Sequence, residues 1–146
     1  MKHKFIAIDG KSATGKTQLA ESLAGTLQDA VVFHTSDYHL RSEKGWADTS
    51  GGLDVQKIKA QIIEPALQDK PIILQEMDPA TQLYHRARLI YPPEYIILEG
   101  TGSSHPALAE SLAFTVFLDD DTPESDPARA RYLKETHAKE RADMVL

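Results

Sequence analysis

The chain contains no cysteine and no asparagine among its 146 residues. The absence of cysteine excludes disulfides, thiolate metal sites and a thiol nucleophile, and it is typical of a reducing compartment. Long apolar runs are also absent, since no stretch approaches the roughly 18 apolar residues of a membrane helix. The apolar run that begins at Phe5 is too short for the core of a signal peptide. We therefore expect a cytoplasmic protein without a membrane partner.

Positive charge is scarce, with 16 Lys and Arg against 22 Asp and Glu and a net charge of −6. Because nucleic-acid phosphates attract basic surfaces, this deficit argues against a general nucleic-acid binder. The 41% of hydrophobic and 26% of charged residues are ordinary for a globular protein. The length fits one compact domain, so we expect a single domain over residues 1–146.

Short apolar runs alternate with amphipathic segments along the chain. The runs at 5–8, 30–33, 95–98 and 114–118 have the length and composition of buried strands, and shorter ones lie at 72–74 and 144–146. Apolar residues recur at three- and four-residue spacing over 19–27, and a similar pattern covers 55–63, which predicts helices. Pro65 should end or kink the second of these helices. This alternation predicts an α/β fold with a central, mostly parallel sheet flanked by helices.

One segment carries a specific chemical signal, a match without mismatch to G-x-x-x-x-G-K-[ST]. Its glycines permit a tight turn that brings backbone N–H groups close to phosphate oxygens. Lys16 is expected to reach the β- and γ-phosphates, and Thr17 to place its hydroxyl on Mg²⁺. The residues expected to bind ATP are therefore Gly10, Lys11, Ser12, Ala13, Thr14, Gly15, Lys16 and Thr17.

The absence of asparagine narrows the class of nucleotide-binding protein. A GTPase would be expected to recognise guanine with an Asn-Lys-x-Asp segment, which this chain cannot contain. An ATPase motor would usually be longer and would have a core strand that ends in a metal-binding aspartate. Glu99, at the end of the run 95–98, could take that place, so this exclusion is weaker. A small-molecule kinase fits best.

The order of segments around the loop resembles the uridine kinase-like family of P-loop kinases, which includes relatives of phosphoribulokinase and pantothenate kinase. The resemblance lies in residues 8–17, 36–39, 53–78, 92–100 and 141–146. It implies a three-layer P-loop NTPase fold. It also implies an enzyme that uses ATP and Mg²⁺ to phosphorylate a hydroxyl of a nucleoside or similar metabolite. It also implies an acceptor-binding insert at about 38–93 and a short lid region at about 120–140.

Two acidic residues stand where strands are predicted to end, which is where ligands bind in such sheets. We expect Asp37 to orient or deprotonate the acceptor hydroxyl, with the capping of a turn as the alternative role. Ser36 stands where many relatives have an aspartate, so the register of the acid remains open. Glu99 is expected to hold a metal-bound water or the acceptor, or else to be a solvated strand end. The expected metal ligands are Thr17, Asp37 and Glu99.

The resemblance also makes Arg129 and Arg131 counterparts of lid arginines that stabilise transition-state charge, although arginines on a charged helix are often solvated. We expect Arg86 and Arg88 to be charged surface residues, with binding of the acceptor as the second interpretation. The expected catalytic residues are Lys16, Asp37, Glu99, Arg129 and Arg131.

The sequence leaves the roles of several aromatic and histidine side chains open. Tyr38 and Trp46 either stack on a base or sugar or pack the segment after Asp37 onto the domain. His34 and His39 show no convincing zinc spacing.

Two other functions remain possible on the sequence. Ala13, where many relatives have glycine, and the short lid favour a nucleotide-binding regulatory module without transfer activity. Convergence of Arg41, Arg86 and Arg88 on an acceptor phosphate would favour a nucleoside monophosphate kinase. The sequence leaves a homodimer and the identity of the acceptor open.

The phosphate loop generates a direct test. Lys16→Ala should weaken ATP binding at least about tenfold, because it removes the one ammonium group that the motif directs at the polyphosphate. Calorimetric titration with ATP and Mg²⁺ measures the change. Unaltered affinity in the variant would contradict the assignment of the loop.

Overall fold

The structure of the chain, a computed structural model, describes residues 2–11, 14–38, 53–77, 80–81, 83–120 and 122–146. The predictions for Ser12, Ala13, His39, Arg41 and Trp46 lie outside these residues. Within them, strands and helices alternate along most of the chain, as the hydrophobic pattern predicts.

The strands of the described residues are β1 (Lys4–Gly10), β2 (Ala30–His34), β3 (Ile72–Met77), β4 (Tyr84–Ile90), β5 (Tyr95–Glu99), β6 (Leu112–Leu118) and β7 (Met144–Val145). Five parallel strands form the central sheet, in the order β2-β5-β1-β6-β7. A separate two-stranded antiparallel sheet pairs β3 with β4.

Helical segments connect most of these strands. In the described part of the chain, no helix is long and apolar enough to cross a membrane. The helices are α1 (Lys16–Leu27), α2 (Val55–Ile58), α3 (Glu64–Leu67), α4 (Pro106–Ala109), α5 (Pro127–Thr136) and α6 (Ala138–Arg141). A 3₁₀ turn, Thr35–Tyr38, follows β2, and a π-helical turn, Lys59–Ile63, joins α2 to α3.

The two faces of the central sheet bury separate hydrophobic clusters, because successive side chains of a strand point to opposite faces. Phe5 belongs to the cluster that also contains Ile58 and Ile62 of the helical segment after residue 54. Ile6 and Ile8 belong to the other cluster, with Ala20 of α1. Each fully buried apolar side chain of this size contributes roughly 1.5–3 kcal/mol relative to exposure. Helical segments therefore cover both faces, which confirms the predicted three-layer α/β fold.

The irregularity predicted at Pro65 is present as a widened helical turn. The N–H of Glu64 donates to the carbonyl of Lys59, five residues back, in the π-helical turn that comes directly before the proline. Proline lacks an N–H, and its ring would clash with the carbonyl of Gln61 in a regular α-helix. The wider turn relieves this conflict while Ile62 and Ile63 remain buried.

The strand β4 is not predicted by the sequence pattern. Its residues include Arg86 and Arg88, which are exposed, and they do not alternate cleanly between polar and apolar. Pairing with β3 stabilises it, with Leu74 opposite Arg88 and Ile72 opposite Ile90. Ile90 and Leu74 pack against the first hydrophobic cluster, so tertiary contacts decide this strand.

The strand order places a crevice at the carboxyl ends of β1, β2 and β5. The chain leaves β1 through α1 to β2 on one side, whereas β6 lies on the other side of β1. Ligands of open parallel sheets bind at such a reversal of strand order. The register aligns His34 with Glu99 and Glu99 with Ile8, so the ends of three neighbouring strands lie side by side.

Two glycines provide a matched pair of stability predictions. A Cβ on Gly10, at φ 146°, would lie 2.3 Å from the Leu118 carbonyl oxygen, whereas a Cβ on Gly25 of α1 would meet nothing within 4 Å. Gly10→Ala should destabilise the protein by roughly 2–4 kcal/mol through strain and overpacking. Gly25→Ala should stabilise it by roughly 0.5–1 kcal/mol, because alanine is the better helix former. Urea unfolding measures both variants, and equal effects would contradict the packing described here.

Candidate functional site

The glycine-rich loop lies at the junction of β1 and α1, as its motif predicts. Gly15, the residue before α1, has the left-handed φ of 87°, which glycine adopts without a Cβ penalty. Gly10 lies against the backbone of β6, where a side chain would not fit. The loop therefore leads directly into the first turn of a 12-residue helix, where unpaired N–H groups and the helix dipole favour an anion.

Lys16 is largely buried inside this loop, with 9% of its surface exposed. Its Nζ donates to the carbonyl oxygen of Lys11 and, at 3.4 Å, to Oγ1 of Thr14. Burial lowers the pKa of Lys16, and the charges of Asp9 and Glu99 oppose that effect. A buried ammonium whose hydrogen bonds go to neutral oxygens gains from a nearby anion. The loop residues thus fit the polyphosphate expected from the sequence.

Lys11 makes contacts that the motif does not predict. Its Nζ forms an ion pair with Asp119 Oδ1 at 2.8 Å and donates to the Asp120 carbonyl oxygen at 2.9 Å. Lys139 contacts the other oxygen of Asp119 at 2.6 Å. The hydrogen bonds from Lys11 and Lys139 lower the pKa of Asp119 to about 2. The start of the phosphate loop is therefore fastened to the segment that follows β6.

Thr17 and Glu99 lie together beside the loop. The Thr17 hydroxyl donates to Glu99 Oε1 at 3.1 Å, and His34 Nδ1 donates to the same oxygen at 2.5 Å. Glu99 is buried at the end of β5. A hydroxyl and a carboxylate are the hard oxygen ligands that Mg²⁺ prefers, so this pair fits the expected metal. Among the described residues, no group of three or more His, Asp or Glu side chains is arranged to hold a metal ion.

Asp37 lies in the 3₁₀ turn after β2, with its side chain exposed at the carboxyl edge of the sheet. Its neighbour Tyr38 is buried in the first hydrophobic cluster. Burial, helped by the charge of Asp37, raises the pKa of Tyr38 to about 12. The Tyr38 carbonyl accepts from the N–H of Asp54 at 2.6 Å, and the Lys57 ammonium lies 5.8 Å from the ring centre. Of the two roles considered for Tyr38, the contacts favour packing.

Asp9, which the sequence pattern does not predict as a site residue, is 1% exposed at the end of β1. Its Oδ1 accepts from the N–H groups of Gly10 at 2.7 Å and Gly102 at 3.1 Å. Its Oδ2 accepts from the N–H and hydroxyl of Ser104, at 3.1 and 2.6 Å, and from the Tyr132 hydroxyl at 2.5 Å. One signal was available, since a carboxylate that follows directly on a buried strand run needs several hydrogen-bond donors.

The two predicted lid arginines, both on α5, have different surroundings. The capping carboxylate of Asp126 accepts from the N–H of Arg129 at 3.0 Å, and Nε of Arg129 is buried. Arg129 lies one helical turn before Tyr132, whose hydroxyl donates to Asp9 at the start of the phosphate loop. Arg131 forms an exposed ion pair with Glu135 at 3.1 Å along the helix. The structure thus brings Arg129 towards the loop and places Arg131 at the surface.

The Asp119 ion pairs predict a pH-dependent contribution to stability. Because the pKa of Asp119 falls from its ordinary 3.8 to about 2 in the folded protein, its contribution is present above pH 4 and is lost as the pH falls through 2. Asp119→Asn should lower the free energy of unfolding at pH 7 by up to about 1 kcal/mol. The difference from the wild-type protein should be much smaller at pH 2 than at pH 7, and it should vanish below pH 2.

Urea unfolding at both pH values tests this, with exposed Glu110 changed to Gln as the control. A difference that persists unchanged at pH 2 would show that Asp119 acts by some route other than its charge.

Comparison with known proteins places the fold. No family model and no curated protein matches the chain. A solved structure described as a "possible uridine kinase", from Bacillus stearothermophilus, matches with a TM-score of 0.81 and 24% sequence identity. The match covers 100% of this chain and 89% of that one. This likeness, together with the parallel sheet and its strand order, shows that the chain has the P-loop kinase-like α/β fold expected from the sequence.

Proposed function

We propose that the chain is an ATP-dependent phosphotransferase that moves the γ-phosphoryl group to a hydroxyl of a small molecule, with nucleosides and similar metabolites as the first acceptors to consider. One observation carries the proposal. A buried lysine ammonium lies inside a glycine-shaped loop at the start of a helix, next to the paired oxygens of Thr17 and Glu99. This combination suits a nucleotide polyphosphate with its metal.

The nucleotide would lie along the loop and the first turn of α1. Backbone N–H groups there would face phosphate oxygens, and Lys16 would neutralise charge on the terminal phosphates. Thr17 and Glu99 would hold Mg²⁺, and His34 keeps the Glu99 carboxylate oriented through its hydrogen bond. When bound, the metal ion neutralises phosphate charge.

Asp37 is the carboxylate best placed to orient and deprotonate the acceptor hydroxyl. Its side chain is exposed at the carboxyl end of β2, the strand that pairs with β5 and Glu99. In the proposed step, the hydroxyl oxygen bonds to the γ-phosphorus while the bond from that phosphorus to the β,γ-bridging oxygen breaks. The hydroxyl proton passes to Asp37, and ADP leaves. Such acid–base assistance typically contributes roughly 10²–10⁴-fold in rate.

Arg129 supports the same step from the other side of the site. It lies on α5 three residues before Tyr132, whose hydroxyl is hydrogen-bonded to Asp9 beside the loop. Negative charge spreads over the migrating phosphoryl group in the transition state, and a guanidinium suits it better than an ammonium. The structural neighbour is described as a possible uridine kinase, which supports nucleosides as the first acceptors to test.

The experiment measures ADP formation with ATP, Mg²⁺ and a panel of nucleosides, nucleoside monophosphates, pantothenate and sugars. At least one acceptor should stimulate ADP release and yield a phosphorylated product. Asp37→Asn should then lower kcat about 100-fold or more, with ATP affinity within about threefold of wild type.

The control is Glu21→Gln, which removes an exposed carboxylate on α1 and should leave kcat unchanged. Tight ATP binding without turnover on any acceptor would refute the transferase and favour a nucleotide-binding module. Turnover on nucleoside monophosphates alone would reassign the acceptor class.

A further inference from the structure

The buried carboxylate of Asp9 joins three separate parts of the chain. Its donors come from the phosphate loop, from the turn after β5 and from α5, as the five hydrogen bonds described above show. A carboxylate that is 1% exposed is tolerated only when its oxygens are hydrogen-bonded, and charge-assisted bonds are the stronger kind. Each donor segment is consequently held at a defined distance from the loop.

Tyr132 is the donor that α5 contributes. Its side chain is fully buried and packs with Phe117 and Ala138, and its ring stacks on His105 with centroids 6.1 Å apart. Burial, with the charge of Asp9, raises the pKa of Tyr132 well above its ordinary value, so the hydroxyl keeps its proton and remains a donor. Both the ring and the hydroxyl therefore restrict where α5 can lie.

Arg129 lies three residues before Tyr132, on the same face of α5, because residues at this spacing are neighbours along a helix. Its Nε is buried, and its N–H is held by the capping Asp126. A shift of α5 that broke the bond from Tyr132 to Asp9 would carry Arg129 with it. The distance from the arginine to the phosphate loop thus depends on a contact that does not involve the arginine.

We propose that Tyr132, through its hydrogen bond to Asp9, is a positioning residue that holds Arg129 beside the phosphate loop, where it would contact the terminal phosphate of a bound nucleotide. The inference rests on the proposed function, since it gives Arg129 a phosphate to contact. It also implies that α5, which belongs to the predicted lid, has a fixed position, because the buried hydrogen bond between Tyr132 and Asp9 holds it.

A double-mutant cycle tests the inference through the affinity for a nonhydrolysable ATP analogue relative to ADP, with Mg²⁺ present throughout. Arg129→Ala should lower this ratio about tenfold, because it removes a charged contact to the γ-phosphate. Tyr132→Phe, which keeps the buried ring, should lower it about fivefold. The double variant should be no worse than Arg129→Ala alone, since both changes remove one interaction. If the affinity ratio of the double variant falls by the product of the two single effects, the proposal is overturned.

Ser104→Ala is the matched control. Ser104 donates to the same oxygen of Asp9 as Tyr132 does, but it belongs to the turn after β5. The effect of Ser104→Ala on the affinity ratio should be independent of Arg129. In the double variant, the effects of Ser104→Ala and Arg129→Ala should therefore multiply. If Ser104→Ala shows the same coupling to Arg129, the electrostatics of Asp9 explain the result and the position of α5 does not, which also overturns the proposal.

Separate measurements distinguish effects on folding and on phosphoryl transfer from the effects on nucleotide affinity. Thermal unfolding verifies each variant, and Asp9→Asn, which weakens the same bond from the acceptor side, enters the cycle if Tyr132→Phe does not fold. In turnover, Tyr132→Phe should lower kcat more than it raises the KM for ATP. A wild-type protein that transfers to no acceptor would refute the proposed function, while the affinity cycle would still decide the role of Tyr132.

Discussion

Two buried charges of opposite sign, the carboxylate of Asp9 and the ammonium of Lys16, lie at the two ends of the phosphate loop. Burial alone disfavours both, because charged groups lose the stabilisation that water provides. Asp9 is stabilised by five donors, and its charge in turn opposes the lowering of the Lys16 pKa. The loop therefore holds a cation whose direct hydrogen bonds go to neutral oxygens, and that feature is the basis for expecting an anionic ligand.

The parallel sheet converts this local arrangement into a site with several components. Because β1, β2 and β5 are neighbours in register, the groups that follow them in sequence meet at one edge although long stretches of chain separate them. Thr17 and Glu99 are 82 positions apart, yet their side chains are hydrogen-bonded. A shared fold does not by itself specify a function. The case for phosphoryl transfer therefore depends on these side chains more than on the likeness to a solved structure.

Much of the fold was predictable because its signals are local. The three- and four-residue spacing of leucine and alanine in α1 and the apolar runs of β1, β2, β5 and β6 specify faces that must be buried wherever the segments lie. The strand β4 was not predictable in this way, since its charged residues obscure the alternation and pairing with β3 stabilises it. The two lid arginines were equally ambiguous, because the pattern of a charged helix does not show which face meets the loop.

The sequence by itself determined the phosphate loop, since glycine conformations and the order of a strand, a loop and a helix depend on residues a few positions apart. The tertiary structure alone decided how the loop is held. Tyr132 and Asp9 are separated by 123 positions, and Lys11 and Asp119 meet through the pairing of β1 with β6. Such contacts leave no periodic trace in a sequence, because they depend on where whole elements pack and not on the preferences of the residues that make them.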